Sequence, residues 1–133
     1  MPLDITTDKS RLDLDVIYGY LTKSYWSPGI SREKVATAIE HSLCWGLFED
    51  DRQIGFARVV TDQSSFAYLA DVFILPECQG RGLGKRLVEA VVADDRLRGL
   101  RRFMLATRDA HGLYEQYGFE RVTDPSKLME KGA

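Results

Sequence analysis

Apolar positions along this chain change period several times, and each change marks an element. Leu3 to Thr7 alternates loosely, which predicts a short edge strand. Leu12, Val16, Ile17, Tyr20 and Leu21 recur at helical spacing, predicting a helix from about Asp13 to Ser24 that a Pro28-Gly29 turn signal then breaks. Ser31 opens a second helix as its N-cap, with Val35, Ile39 and Leu43 on one face. Cys44 to Phe48 and Gln53 to Val60 read as a hairpin around Glu49–Arg52, and Asp62–Ser65 turns the chain into its longest strand, Phe66 to Leu75. Pro76 lacks the N–H that a ladder needs, so it ends that strand. Leu83, Leu87, Val88, Val91 and Val92 then give an amphipathic helix ending near Asp94. A strand over Arg102–Thr107, a short helix over Asp109–Tyr117 and a last strand over Phe119–Val122 complete the expectation. This order predicts an α/β domain in which antiparallel hairpins feed a parallel strand pair across the helix after Gly84.

Composition narrows the picture without deciding it. A chain of 133 residues is one domain's worth, and no repeat or linker-like stretch divides it, so residues 1–133 are read as one unit. A net charge of −2, from 18 Lys+Arg against 20 Asp+Glu, gives no electrostatic ground for nucleic-acid binding or for an acidic membrane surface. The opening stretch, Met1 to Asp8, has neither a basic start nor an apolar run and does not read as a signal peptide. No apolar stretch has the length to span a bilayer. Cys44 and Cys78 are too few for a disulfide framework, and His41 and His111 have no ligand partner at metal-site spacing. The expectation is a reduced, cytoplasmic, metal-free protein.

The chemistry concentrates in Asp71-Val72-Phe73-Ile74-Leu75-Pro76-Glu77-Cys78-Gln79-Gly80-Arg81-Gly82-Leu83-Gly84-Lys85, an apolar strand, a glycine-rich turn and a helix start. Glycines let backbone amides approach a ligand, and a helix N-terminus adds unpaired N–H groups that suit a phosphate. The spacing is not the dinucleotide G-x-G-x-x-G, because Leu87 takes the last place. Nor is it a P-loop, since Gln79 stands where that motif starts with glycine and Arg86 where it ends in Ser or Thr. On composition alone, a tight turn into a helix explains the three glycines equally well.

Two motifs in order change that balance. Gln79-x-x-Gly82-x-Gly84 directly after a strand ending Ile74-Leu75-Pro76 resembles the pyrophosphate-binding signature of the GNAT superfamily of N-acetyltransferases. Downstream, Ala110-His111-Gly112-Leu113-Tyr114-Glu115-Gln116-Tyr117-Gly118-Phe119 resembles the family's Ala-x-x-aromatic/aliphatic-Tyr-Glu-x-x-Gly-Phe stretch. The likeness covers about Trp45 to Val122 and fades before it.

The resemblance implies a mixed, mostly antiparallel sheet with a splayed parallel pair, flanked by about four helices. It implies acetyl-CoA as acetyl donor, a primary amine on a small molecule or a peptide as acceptor, and direct attack in a ternary complex. Val72, Phe73 and Ile74 would offer backbone to the pantetheine arm. Gln79 and the amides of Gly80, Arg81, Gly82, Leu83, Gly84 and Lys85 would hold the pyrophosphate, and an amide near Ile74, where the strand is bulged, would meet the thioester carbonyl. Tyr114 takes the family's general-acid position, being a phenol that is protonated at neutral pH. Asp71, an acid inside an apolar strand, is the candidate general base, with a structural contact to a nearby Arg as the competing role. Thr107 stands where many relatives have Asn. Tyr25 and Trp26, in the loop before Pro28, are the candidate acceptor wall, with Tyr18 and His41 as further wall residues. The reading from another class is a non-catalytic CoA-binding module, which has no need of Tyr114 or Asp71. A monomer or a homodimer fits either reading.

Overall fold

The computed structural model describes residues 2–132; Met1 and Ala133, the ends of the expected unit, lie outside the described residues. Five strands form one sheet in sequence order: β1 (Leu3–Thr6), β2 (Leu43–Glu49), β3 (Arg52–Thr61), β4 (Phe66–Ile74) and β5 (Arg102–Leu105). The first four pair antiparallel, and β4 pairs with β5 in parallel. Helices α1 (Leu14–Leu21) and α2 (Arg32–Glu40) cover one face, α3 (Leu83–Val92) covers the other, and α4 (His111–Glu115) follows β5. This is the expected α/β class with its splayed parallel pair.

The caps explain where the helices begin. The Asp13 carboxylate accepts from the amides of Asp15 and Val16 to open α1, and the Ser31 hydroxyl accepts from Lys34 N–H at 3.1 Å to open α2. Buried Gln53 then ties α1 to the sheet, its Oε1 accepting from Asp13 N–H at 2.7 Å and its Nε2 donating to Gly55 O.

Two cores result, one on each face. Leu83, Leu87 and Val91 of α3 pack on Trp45, Leu47, Ile54, Ala67 and Leu69, while Ile17, Leu21 and Val35 of α1 and α2 pack on Cys44, Phe56 and Phe73.

The last expected strand is absent: Phe119–Val122 joins no ladder. Phe119 turns in to pack edge-on against Phe103 (5.2 Å) and Tyr114 (6.0 Å), and its N–H donates to Tyr114 O. Val122 is left exposed, so the segment has one anchor and no buried face to hold a strand in register. Three elements are also shorter than expected. Helix α1 stops at Leu21, β5 at Leu105 and α4 at Glu115, and Leu43 belongs to β2 rather than to α2.

Candidate active site

The site follows from two irregularities in β4. The first is a bulge at Ala70. Val59 of β3 faces Leu69, but the next residue back, Arg58, faces Asp71, so Ala70 has no partner. One extra residue reverses which face the following side chains occupy. Leu69 therefore packs under α3, while Asp71 and Phe73 face α1. Without the bulge Asp71 would point into the α3 core.

The second irregularity is that the parallel ladder stops early. Pairs run from Phe66/Arg102 to Leu69/Leu105, and β4 continues to Ile74 without β5 beside it. Leu75 N–H donates to Ile54 O at 2.8 Å, so by alternation Phe73 and Asp71 also aim their backbone groups at β3. Val72 and Ile74 consequently aim theirs away from β3, into the gap that β5 has left. A cleft of about 1580 Å³ opens there, above the ~300–1,000 Å³ usual for one small ligand, and so holds room for two substrates.

The glycine loop forms one wall of this cleft. After β4, Pro76–Cys78 makes a single 3₁₀ turn, and Gly80 and Gly82 follow at φ +81° and +72°, where a side chain is strained. A Cβ on either glycine meets nothing of the protein within 4 Å. Gly84, inside α3, would have only an ordinary 3.9 Å contact to Ile74. The fold therefore does not itself require bare backbone at Gly84. With Gly82 as N-cap and no side chain capping α3, the first-turn amides stay free for an anion. These features fit a pyrophosphate-bearing acyl donor. Gln79 closes the loop onto the strand, its Nε2 donating to Ile74 O at 3.0 Å. Arg81 turns away to pair with Glu49 at 2.6 Å, and Lys85 is exposed, its carbonyl accepting from Tyr117. Arg81's bond to Glu49 holds the Glu49 carboxyl below its usual value. Of these two expected donors, neither side chain lines the cleft; their backbone remains at the helix start.

Tyr114 lines the far wall, half-buried on α4 among Phe103, Phe119 and the α3-side core. Burial first, and the neighbouring Tyr25 second, push its phenol above the ordinary tyrosine value of 10.0. The start of α4 is fixed by Thr107, whose hydroxyl accepts from Ala110 N–H at 3.0 Å.

Asp71 is 4% exposed on the floor opposite. Its Oδ2 accepts from Arg58 Nε at 2.6 Å and its Oδ1 from the Trp26 indole N–H at 2.7 Å; Arg58 in turn donates to Ser42 Oγ. Both oxygens are thus engaged, and the Arg contact that competed with the base role is present. Of the expected wall residues, Tyr25 and Trp26 line the cleft. Tyr18 instead lies below Arg32, and His41 ends α2 at the surface. Tyr20 was not expected in the wall. It stacks on Phe73 at 4.1 Å and 8° and stands 6.1 Å from Trp26. Its place on the exposed side of Ile17 and Leu21 was the available signal, since Val16 and Tyr20 at i, i+4 share a face.

Comparison with known proteins agrees with this geometry. Residues 12–119 match the model of the Acetyltransferase (GNAT) family. A Gibberella zeae protein assigned as an acetyltransferase is 31% identical, over 83% of this chain and 74% of its own. The chloroplastic serotonin N-acetyltransferase 2 of rice is 35% identical over 91% of this chain, which spans 64% of the rice protein's length. A solved structure from Xanthomonas campestris, assigned to the GNAT acetyltransferases, superposes with a TM-score of 0.95 at 49% identity, over 100% of this chain and 94% of that one.

Proposed function

The chain belongs to the GNAT family of acetyltransferases and is an acetyl-CoA-dependent N-acetyltransferase, and from that premise we propose that its acceptor is a small primary amine carrying an aromatic or alkyl group. The observation that carries this reading is the wall of Tyr20, Trp26 and Tyr25 over the half of β4 that β5 leaves open. Flat rings along one side of the cleft suit an amine with a planar or apolar tail. The rice relative's name, a serotonin N-acetyltransferase, supports the same class.

Acetyl-CoA supplies the activated thioester carbon, and the chain does the rest. Free amides at the start of α3, from Gly80 to Lys85, hold the pyrophosphate, and the outward N–H and C=O of Val72 pair with the pantetheine arm. The Ile74 amide is placed to stabilise charge developing on the carbonyl oxygen. As the C–N bond forms and the C–S bond breaks, Tyr114 gives its phenolic proton to the departing thiolate. Its raised pKa keeps that proton in place across the physiological range. Asp71 acts as an anchor and not as the base. Taking a proton would neutralise its buried ion pair with Arg58, and the amine's surplus proton leaves through water instead. Two buried, unpaired cysteines, Cys44 and Cys78, fit a reducing compartment, for which we propose the cytoplasm. Among the described residues, no helix is long and apolar enough to cross a membrane.

Calorimetric titration with acetyl-CoA, with ATP and NAD as controls, tests the donor site. Thiol release with phenethylamine and with an unblocked tripeptide tests the acceptor. Phenethylamine should be favoured at least tenfold in kcat/KM; a preference for the peptide overturns the small-amine reading.

A further inference from the structure

A continuous bridge of side chains crosses the mouth of the cleft. It starts at Arg58 and Asp71 in the sheet and passes through the Trp26 indole. Tyr25 then packs edge-on against Trp26 at 5.1 Å and 80°. From the opposite rim, Arg108 meets Tyr25 twice. Its guanidinium carbon lies 3.9 Å from the ring centroid, and its backbone N–H donates to Tyr25 Oη at 3.2 Å. The two ends differ in kind. At one, Asp71 is buried with a hydrogen bond to each oxygen; at the other, Tyr25 is 47% exposed and Arg108 lies at the surface. Among the described residues Arg108 pairs with no carboxylate, so the face of Tyr25 is what it engages.

We propose that Arg108 is a positioning residue for the amine acceptor and acts through Tyr25. The proposal rests on the small-amine reading of this site. A half-exposed tyrosine otherwise turns freely on a fast timescale, and a wall that turns gives no fixed surface to stack on. Arg108 removes that freedom from two directions. The guanidinium covers one face of the ring, and the backbone N–H fixes the hydroxyl end. The fixed ring stands between the α1 wall and the acid, beside Tyr20 and Tyr114, whose phenols are raised by burial first and by Tyr25 second. An aromatic amine entering here meets a rigid corner of Tyr25 and Trp26, which aims its amino group at the open end of β4. A short alkylamine, with no ring to stack, gains little from that corner. Arg108 thereby selects the acceptor from the loop between β5 and α4.

Steady-state kinetics with phenethylamine and n-butylamine test this in wild type, R108A, R108K, Y25L and the Y25L/R108A double variant. R108A should raise the KM for phenethylamine about fivefold, the size of one half-exposed cation–π contact, with kcat within about twofold. KM for butylamine and the calorimetric affinity for acetyl-CoA should not move. R108K should recover part of the loss, and in the Y25L background R108A should add nothing. Equal shifts for both amines would mean that only the charge at the mouth matters, and an undiminished R108A effect without Tyr25 would mean that Arg108 acts elsewhere; either overturns the proposal. Wild type preferring the unblocked tripeptide to both amines overturns the small-amine reading and this inference together, and wild type treating the two amines alike overturns this inference alone. A wild-type preference for phenethylamine that survives R108A overturns this inference alone.

Discussion

Asp71→Asn separates the anchor role from the base role, because asparagine keeps the shape and an acceptor oxygen for Trp26 while removing the charge. What it breaks is the pair with Arg58, whose side chains are only 18% and 3% exposed for Arg58 and Asp71. Stranding one member of a buried pair costs about 3–5 kcal/mol, and the partial exposure of Arg58 places this case near 3. Unfolding entropy of about 2.1 cal/mol/K per residue gives roughly 0.28 kcal/mol/K for a chain of this length, so the melting temperature should fall by about 10 °C. Differential scanning calorimetry measures that directly, and urea titration at 25 °C should show the midpoint moving with an unchanged slope. Thiol-release kinetics, run well below the new melting temperature, should show kcat/KM for phenethylamine within about tenfold of wild type. The base role predicts the reverse, a loss of about 100-fold or more in kcat with stability kept. A melting temperature within about 3 °C of wild type, together with such a loss in kcat, would refute the anchor assignment.

Tyr114→Phe should lower kcat by about 100-fold while acetyl-CoA affinity stays near wild type. Because burial raises the Tyr114 pKa, the donor form persists upward, so the alkaline fall in wild-type kcat should lie above pH 10.0; a fall centred near neutrality assigns the acid elsewhere. Gly82→Glu places a charged side chain at φ +72°, costing about 1–2 kcal/mol of backbone strain but meeting no protein atom. Calorimetry should then find acetyl-CoA binding lost, with the melting temperature down by only a few degrees. Gln53→Leu removes the acceptor of the Asp13 amide and a donor to the Gly55 carbonyl and should cost about 1–3 kcal/mol in urea unfolding with the donor site intact. Asp62, which accepts from the Ser65 hydroxyl above all and then from the amides of Ser64, Ser65 and Phe66, has its pKa lowered well below 3.8. Its contribution is therefore complete above that value and is lost only as pH falls through the lowered one, so amide exchange at Ser64–Phe66 should quicken in strong acid and not at pH 5.

Periodicity and punctuation carry most of the fold in this chain, because both act locally. Ser31 caps α2, Pro76 ends β4 and the hairpin turns fall where the polar clusters lie. What local patterns could not place depends on distant partners. Phe119–Val122 has the composition of a strand, but Phe103 and Tyr114 hold Phe119 against the core and leave the rest nothing to pair with. Tyr18 and Tyr20, two residues apart, lie on roughly opposite sides of α1 and are both half-buried. Only Phe73, a residue of β4, decides that Tyr20 faces the cleft.

The bulge shows how a site can be written in a sequence and still be hard to read there. From Leu69 to Phe73 the odd positions read apolar, acidic, apolar, which in an unbroken strand would bury Asp71 beneath α3. The conflict between that pattern and the cost of an unpaired buried carboxylate is the only local sign that the strand must slip by one residue. Ala70 makes the slip, and three consequences follow from it at once. Asp71 reaches Arg58 and Trp26, Phe73 reaches Tyr20, and the outward amides of Val72 and Ile74 fall beyond the last β4–β5 pair. The acceptor wall is therefore a consequence of that slip, and the donor groove of the slip together with the early end of β5 at Leu105. With Ala70 deleted, Leu69 and Asp71 become neighbours and fall on opposite faces by plain alternation, so Asp71 should keep Arg58 and Trp26 and thiol release should persist. Its loss would show that the shape of the bulge, and not only the face it selects, builds the site.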